Sequence, residues 1–124
     1  MLTEIGAYLA TKNVGTVGTD IFLGLMPDQP DNCIALFEYA GSPPDLHWNG
    51  EYPGLQVRVR DASYTAGRAR IDKIYRLLHG LYEEELGGTR YLLIKARGSP
   101  EVLKRDASNR VEFFINFEII KERD

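Results

Sequence analysis

The sequence predicts an α+β fold, in which two helices pack on one face of a mostly antiparallel sheet of four to five strands. Two segments repeat apolar residues at the spacing of a helix, other segments alternate apolar and polar residues, and glycine- and proline-rich segments separate them. The predicted order of elements is α-β-β-β-α-β-β. With 124 residues, of which 44% are hydrophobic, we expect a single domain, residues 1–124, and no second core.

The first part of the chain predicts a helix followed by a β-hairpin. Residues 2–9 repeat apolar side chains at helical spacing, and Thr3 is the expected N-cap. Residues 20–26 and 33–39 have the apolar composition of buried strands. Because only the turn-rich segment 27–32 separates them, we predict that the two strands pair antiparallel.

Residues 40–54 predict a long loop, because three prolines and three glycines oppose regular structure there. The loop carries the only tryptophan of the chain, Trp48. Long loops with an aromatic tip often serve in binding, since they are displayed on the surface. The alternative is that Trp48 folds back as a lid on the core.

The clearest strand signal is in residues 55–61, where the odd-numbered apolar residues would face the core. Ser63 is the expected N-cap of a long helix over residues 64–86, which the glycines at 87–88 would end. Gly80 within this helix would cost roughly 1 kcal/mol relative to alanine.

Two further strands complete the predicted sheet. Residues 90–97 would direct Leu92, Ile94 and Ala96 inward. Residues 110–119 would bury their odd-numbered apolar residues in the same way. The polar connection between the two strands is predicted to contain a single helical turn at residues 99–103.

The face of this sheet opposite the helices would carry charges of both signs. Cross-strand Arg–Glu pairs could satisfy such a face within one subunit, or the face could meet a neighbouring subunit. The residues expected on it, with Phe114 among them, are Arg58, Arg60, Glu112, Asn116 and Glu118.

Residue types typical of catalytic, cofactor and metal sites are scarce. Cys33 is most simply a small core residue, His79 a residue of the helix surface, and His47 has no second ligand at a metal-site spacing. We therefore expect no catalytic site, no cofactor and no metal, and the same reasoning indicates that the protein is not an enzyme.

Charge and hydropathy limit the classes of partner. The net charge of −3 argues against a specific nucleic-acid partner, which would need a concentrated basic surface. The longest apolar stretches are too short to cross a bilayer, so no membrane partner is expected. We also expect synthesis in the cytoplasm, because the first residues lack the pattern of a signal peptide.

Several segments of the chain resemble one known family. Together they resemble the small tail-terminator or minor capsid (head–tail joining) proteins of long-tailed bacteriophages, over residues 15–119. The segments are DQPDNCIALFEYAG (residues 28–41), PGLQVRVR (53–60), ARIDKI (69–74), SP (99–100), and NRVEF with NFE (109–113 and 116–118).

The resemblance implies a sheet flanked by helices and a structural role in the virion at the head–tail junction. It implies a homo-oligomeric ring, expected to be a hexamer, which caps the tail tube protein and meets a head-completion or connector protein. No catalytic residues come with the family. For the ring we expect the mixed-charge face to form the subunit interface. The residues expected to contact the other partners are Leu46, His47, Trp48, Tyr52, Lys104 and Arg105.

Two other classes of function compete with this interpretation. A cellular small-ligand-sensing or regulatory α+β module would need a concave apolar pocket with a few polar groups. An enzyme would need Asp20, Asp61 or His47 to converge in a cleft.

Overall fold

The computed structural model describes residues 1–123. Its helices and strands follow one another as α1 (Leu2–Thr11), β1 (Ile21–Leu23), β2 (Cys33–Ser42), β3 (Gly50–Asp61), α2 (Tyr64–Leu78), β4 (Leu81–Leu86), β5 (Thr89–Ala96), β6 (Glu101–Arg105) and β7 (Val111–Glu122).

The strands form one mixed sheet in the order β1-β2-β3-β7-β5-β4, with β6 paired to β7 in line with β5. The α+β class is confirmed, but within residues 1–123 the sheet has seven strands rather than four or five. The predicted hairpin of β1 and β2 is wrong, because these two strands are parallel, with Ile21 beside Ile34. The connecting residues 24–32 therefore return the chain to the start of β2 before it enters the sheet.

Both helices bury apolar side chains against the same face of the sheet. α1 buries Ile5 and Leu9, and α2 buries Ile71, Ile74 and Leu78. α1 contacts β1 and β2 at one edge of the sheet and β4 at the other, so the sheet curls around the helices. The prediction that the odd-numbered apolar residues of β3 and β7 face the core is confirmed for Leu55, Val57, Val59, Val111, Phe113, Ile115, Phe117 and Ile119.

The second helix is shorter than predicted, because it ends at Leu78 rather than at residue 86. Its N-cap is the expected Ser63, whose hydroxyl accepts a hydrogen bond from the Ala66 N–H. Gly80 follows the helix with φ of +86°, a left-handed conformation that stops a helix. The next residues form β4, and Gly87 and Gly88, both with positive φ, make the tight turn into β5.

The predicted long loop over residues 40–54 is mostly a hairpin. β2 continues to Ser42 and β3 begins at Gly50, so only residues 43–49 lie between the two strands. A register shift between Tyr39 and Ser42 absorbs the irregular residues of this region. Gly54 is needed here, because a Cβ at this position would come within 2.2 Å of the Tyr39 ring.

Three smaller predictions were also wrong. Residues 101–105 form strand β6 rather than part of a helical turn, since β7 offers them a free edge. A register shift between Tyr91 and Leu93 turns the Tyr91 side chain into the core and leaves Leu92 only half-buried, whereas the predicted inward positions of Ile94 and Ala96 are confirmed. Thr3 is not the N-cap of α1, because the helix already begins at Leu2 and has no side-chain cap.

Substitution of Gly80 by alanine tests where the second helix ends. Gly80→Ala is expected to lower the free energy of unfolding by about 1 kcal/mol, because an L-residue is strained at positive φ. Gly98→Ala is the matched control, since a Cβ there also meets open space but φ lies outside the left-handed region. Urea denaturation checks both. Stabilisation by Gly80→Ala would indicate that the helix continues through this position.

Candidate assembly surfaces

The face of the sheet opposite the helices carries a patch of polar and aromatic side chains. We call it the open face and define it by seven residues of β2, β3 and β7. Glu118 is exposed and the other six are half-buried, so the patch is accessible without being fully solvated. Its residues are Phe37, Tyr39, Gln56, Arg58, Phe114, Asn116 and Glu118.

Hydrogen bonds across the strands order the centre of the open face. The Arg58 Nε–H donates to Gln56 Oε1 at 2.8 Å, and the Gln56 amide donates to Asn116 Oδ1 at 3.1 Å. The Arg58 guanidinium also lies 5.1 Å from the centre of the Phe37 ring, at cation–π distance. Near the edge of the face, Arg97 Nε lies 3.6 Å from an oxygen of Glu118, and both side chains are exposed. The open face is thus a preformed surface of ordered polar groups and aromatic rings.

Arg60, expected on the subunit interface, is instead occupied within its own chain. Its guanidinium donates hydrogen bonds to four backbone oxygens of the segment that connects β1 to β2, and only 4% of the residue is exposed. Those oxygens belong to Pro27 (2.7 Å), Asp28 (3.2 Å), Pro30 (2.7 Å) and Asp31 (3.1 Å). Arg60 therefore fixes this segment to the sheet.

Arg110 also binds the segment between β1 and β2, through the carboxylates of Asp28 and Asp31. It is 6% exposed and forms ion pairs with Asp28 at 2.9 Å, Asp31 at 3.1 Å and Asp106 at 2.8 Å. The hydrogen bond that the Arg110 guanidinium donates to Asp28, together with the Asp106 and Asp31 carboxylates, raises the pKa of Arg110. The Arg110 backbone N–H, bonded to the Asp106 carboxylate, lowers the pKa of that group. We call Arg60 and Arg110 the arginine clamp.

Glu112, the other buried residue expected on the interface, also has an intrachain partner. It is 6% exposed, and its carboxylate lies 3.9 Å from the Lys104 ammonium. The structure thus leaves Arg58, Asn116 and Glu118 of the expected set accessible on the open face. Arg60 and Glu112 are thus satisfied within the subunit, whereas Arg58, Asn116 and Glu118 of the same face are accessible to a neighbour.

The segment between β2 and β3 forms a compact hairpin tip, which we define as residues 43–49. Asp45 accepts hydrogen bonds from the His47 N–H at 2.9 Å and the Tyr52 hydroxyl at 3.3 Å. The bond from His47 is the main cause that lowers the pKa of Asp45. Trp48 makes an edge contact with Tyr52, with ring centres 6.5 Å apart, and Leu46 is 92% exposed. The tip therefore presents an apolar side chain on a folded turn.

Trp48 does not act as a lid on the main core, because its ring lies over Gly50 at the edge of the hairpin. Arg123 joins the hairpin tip to the end of the chain. Its side chain donates to Trp48 O at 3.2 Å and to Asn49 Oδ1 at 3.0 Å. The tip is thereby attached to the end of β7.

Lys104 and Arg105 lie far from the hairpin tip. Both are exposed on β6, which pairs with the first residues of β7. The hairpin tip, in contrast, leads into Gly50, which pairs with Glu122 at the other end of β7. The two groups of residues expected to contact partners therefore lie at opposite ends of one strand.

The residues considered for catalysis do not converge. His47 precedes β3 and Asp61 ends it, while Asp20 accepts a hydrogen bond from the Thr16 N–H before β1. Cys33 is fully buried, and burial raises the pKa of its thiol. His79 caps α2 and accepts a hydrogen bond from the Ala96 N–H at 3.0 Å.

Two negative findings apply to the residues that the structure describes. Residues 1–123 contain no group of three or more histidine, cysteine, aspartate and glutamate side chains arranged to hold a metal ion. In the same range, neither helix is long and apolar enough to cross a membrane.

Sequence reasoning missed Arg110 and the ion pair between Lys121 and Glu51. Lys121 is 3% exposed, and its ammonium lies 2.6 Å from the Glu51 carboxylate, where it joins β7 to β3. A signal for Arg110 was present in Asp106, four residues earlier, and in the acidic residues of segment 27–32. No local pattern indicates that these groups meet, since their contacts join distant parts of the chain.

Two single substitutions, Arg60→Met and Arg58→Met, distinguish the stabilising role of the arginine clamp from the role of the open face. Arg60→Met is expected to lower the free energy of unfolding by about 2 kcal/mol, because the buried charge-assisted hydrogen bonds to the 27–31 segment are lost. Arg58→Met, the control on the same strand, should change it by less than about 1 kcal/mol. Equal losses in urea denaturation would contradict the different roles of the two residues.

Comparison with known proteins agrees with this architecture. A chain from the virion of a native gene transfer agent particle has a similar fold, with a TM-score of 0.75 and 14% sequence identity over 99% of this chain and 95% of that chain. No curated protein matches the sequence. The family model described as bacteriophage tail terminator protein matches residues 8–123. Since the match spans nearly the whole sequence, the chain belongs to the bacteriophage tail terminator protein family.

Proposed function

We propose that this protein is a structural, non-catalytic virion component that forms a homo-oligomeric ring at the head–tail junction. The ring terminates the tail tube and joins it to the head connector. The observation that carries this proposal is the family match over residues 8–123. The fold likeness to a chain of a gene transfer agent virion supports it. Residues 1–124 act as one domain in this role, made in the cytoplasm of the bacterial host and incorporated into the virion.

A ring of identical subunits, for which six is the expected number, repeats one heterologous contact around an axis. Each subunit must therefore offer two complementary surfaces on different sides. The open face supplies one of these surfaces, with Arg58, Asn116 and Glu118 as its accessible polar residues. Arg60 and Glu112 act indirectly, because they hold neighbouring segments in place from buried positions.

The hairpin tip supplies the reach toward a different protein. Leu46, His47 and Trp48 extend beyond the paired part of the sheet, and Tyr52 supports them through Asp45. We assign this tip to contact with the tail tube or the head connector. Lys104 and Arg105 present a second, basic contact at the opposite end of β7.

Charge reversal on the open face tests its part in assembly. Arg58→Glu is expected to weaken self-association about tenfold or more, because it reverses a charge and removes the cation–π contact with Phe37. Arg76→Glu, on the exposed side of α2, makes the same change of charge away from this face. Light scattering over a dilution series measures the mass of each variant. Equal association of the two variants would exclude the open face as a contact.

Substitution at the hairpin tip tests attachment to the tail tube. Leu46→Asp is expected to leave stability within about 0.5 kcal/mol of wild type, because the side chain is 92% exposed. It should nevertheless reduce the fraction of purified tail tubes that carry a terminal ring in electron micrographs. Leu25→Asp, at another exposed leucine (53%), is the control.

Unimpaired capping by the Leu46 variant would remove the tip from the contact. A wild-type protein that stays monomeric and ignores the tubes would contradict the ring itself and favour a ligand-binding module.

A further inference from the structure

Half of β2 is an unpaired sheet edge. β1 covers β2 only from Ile34 to Leu36, through hydrogen bonds from the Ile34 N–H to Asp20 O and from the Gly24 N–H to Leu36 O, both at 2.7 Å. These bonds indicate that even-numbered residues of β2 direct their backbone groups outward. The backbone groups of Glu38 therefore point to the same side, where none of the described strands lies. Such an edge is a template for another strand.

On each face of the sheet, a depression adjoins residues 39–42 of β2. The one on the open-face side has a volume of about 360 Å³ and is lined by Tyr39, Gly54 and Glu118 among others. The one on the helix side has a volume of about 620 Å³, with Met1 and Glu38 in its lining. Successive side chains of a strand point to opposite faces. An added strand would thus find room for its side chains on both sides, as in peptide recognition by strand addition.

A second unpaired edge belongs to β6, on the other side of the sheet. The backbone N–H and C=O groups of the even-numbered residues of β7 point toward β5 and β6. This direction follows from the hydrogen bond that the Arg97 N–H donates to Asn116 O at 2.9 Å. The register places Glu101 and Lys104 opposite two such residues. The backbone groups of Val102 and Arg105 therefore point outward. β6 is an accessible strand with one free side.

The side chains of β6 combine exposed apolar residues with charged ones. All five residues are exposed, and two consecutive ones are apolar, Val102 at 47% and Leu103 at 41%. Because a register shift lies between Val102 and Lys104, strict alternation does not apply to these two residues, and both are exposed apolar side chains that a neighbouring subunit can cover. Lys104 and Arg105 add positive charge, and Glu38 is the only charged residue of β2. With Glu101 included, the net charge of β6 is +1, opposite in sign to that of Glu38, so the two edges complement each other in charge.

We propose that β6 of one subunit adds to the open half of β2 of the next subunit, so that the sheet continues from copy to copy. This inference rests on the proposed ring. It assigns Lys104 and Arg105 to the contact between subunits instead of to a different protein, and the open face borders this joint through Tyr39. β2 is antiparallel to β3, β3 to β7 and β7 to β6, so β6 runs antiparallel to β2 within a subunit. A neighbour that continues the sheet keeps this relation, which gives antiparallel pairing at the joint.

The edge of β4 is a less suitable acceptor, although Glu83, Glu84 and Glu85 make it acidic. β4 and β6 both lie beyond β7 on the same side of the sheet. A contact repeated around a ring needs complementary surfaces on different sides of the subunit. β2 meets this condition, because it lies on the far side of β3 from β7.

Disulfide cross-linking tests the joint in the full-length protein. All variants carry Cys33→Ala, so that the introduced cysteines are the only ones. One preparation carries Ala40→Cys on β2 and the other carries Leu103→Cys on β6. Val102→Cys and Lys104→Cys replace Leu103→Cys in further preparations, because the exact register of the joint is to be determined. Opposite residues of paired strands have Cα atoms about 4.5–5.5 Å apart, within disulfide range. After mixing and oxidation we expect covalent dimers only where both variants are present. The double variant should give a ladder that ends at the size of the ring.

The control pair combines Ala40→Cys with Tyr82→Cys, since Tyr82 is an exposed residue of β4 (71%). Cross-links from this control pair would overturn the joint. The joint would also be overturned if none of the β6 positions gave cross-links while light scattering still showed a ring-sized mass. In both cases the proposal of a ring would stand. Absence of any assembly, alone or on tail tubes, would overturn both. The reduced variants must retain the wild-type circular dichroism spectrum and assembled mass, so that a missing cross-link reports on the position of the strands.

Discussion

The structure depends on β7, which is hydrogen-bonded on both sides for most of its length. β3 pairs with one side of it, and β6 and β5 pair in succession with the other. Its odd-numbered side chains supply a large part of the core and pack beneath α2. Because the strand has side chains on both faces, the same residues that build the core also place Phe114, Asn116 and Glu118 on the open face. Packing and the candidate contact surface are therefore set by one element.

The two ends of β7 are fixed in different ways. At its start, Arg110 just before the strand and Arg60 on the neighbouring β3 hold the segment between β1 and β2 through buried guanidinium groups. At its end Lys121 pairs with Glu51, and Arg123 bonds to the hairpin tip. Charged residues that could have served a partner thus stabilise the subunit itself. What remains accessible is the open face, the tip and the free strand edges.

The elements predicted correctly are those with a local signal. The burial of alternate residues in β3 and β7 follows from the period of a strand, and the start of α2 follows from Ser63. The errors arose where a backbone conformation or a distant partner decided the outcome. Gly80 could belong to a helix by composition, but its positive φ ends one. β6 has no alternation of its own and becomes a strand only because β7 pairs with it.

The candidate site was predictable to a similar extent. The alternation of residues along the strands placed Arg58, Arg60 and Glu112 on one face, and the register agrees that they share it. It could not tell that Arg60 is satisfied by carbonyl oxygens about thirty residues earlier in the chain. Such partners have no sequence signature, because any residue offers a carbonyl oxygen.

The attachment of the hairpin tip to the end of β7 has a mechanical consequence. A force applied to the tip acts along β3 and β7, which run side by side over ten paired positions. Because Gly50 of β3 and Glu122 of β7 are paired at the end that carries the tip, such a force pulls both strands in the same direction. Arg123 and Asn49 prevent the tip from separating first, since they join it to the neighbouring strand. A load on the tip is therefore shared between the two longest strands of the subunit.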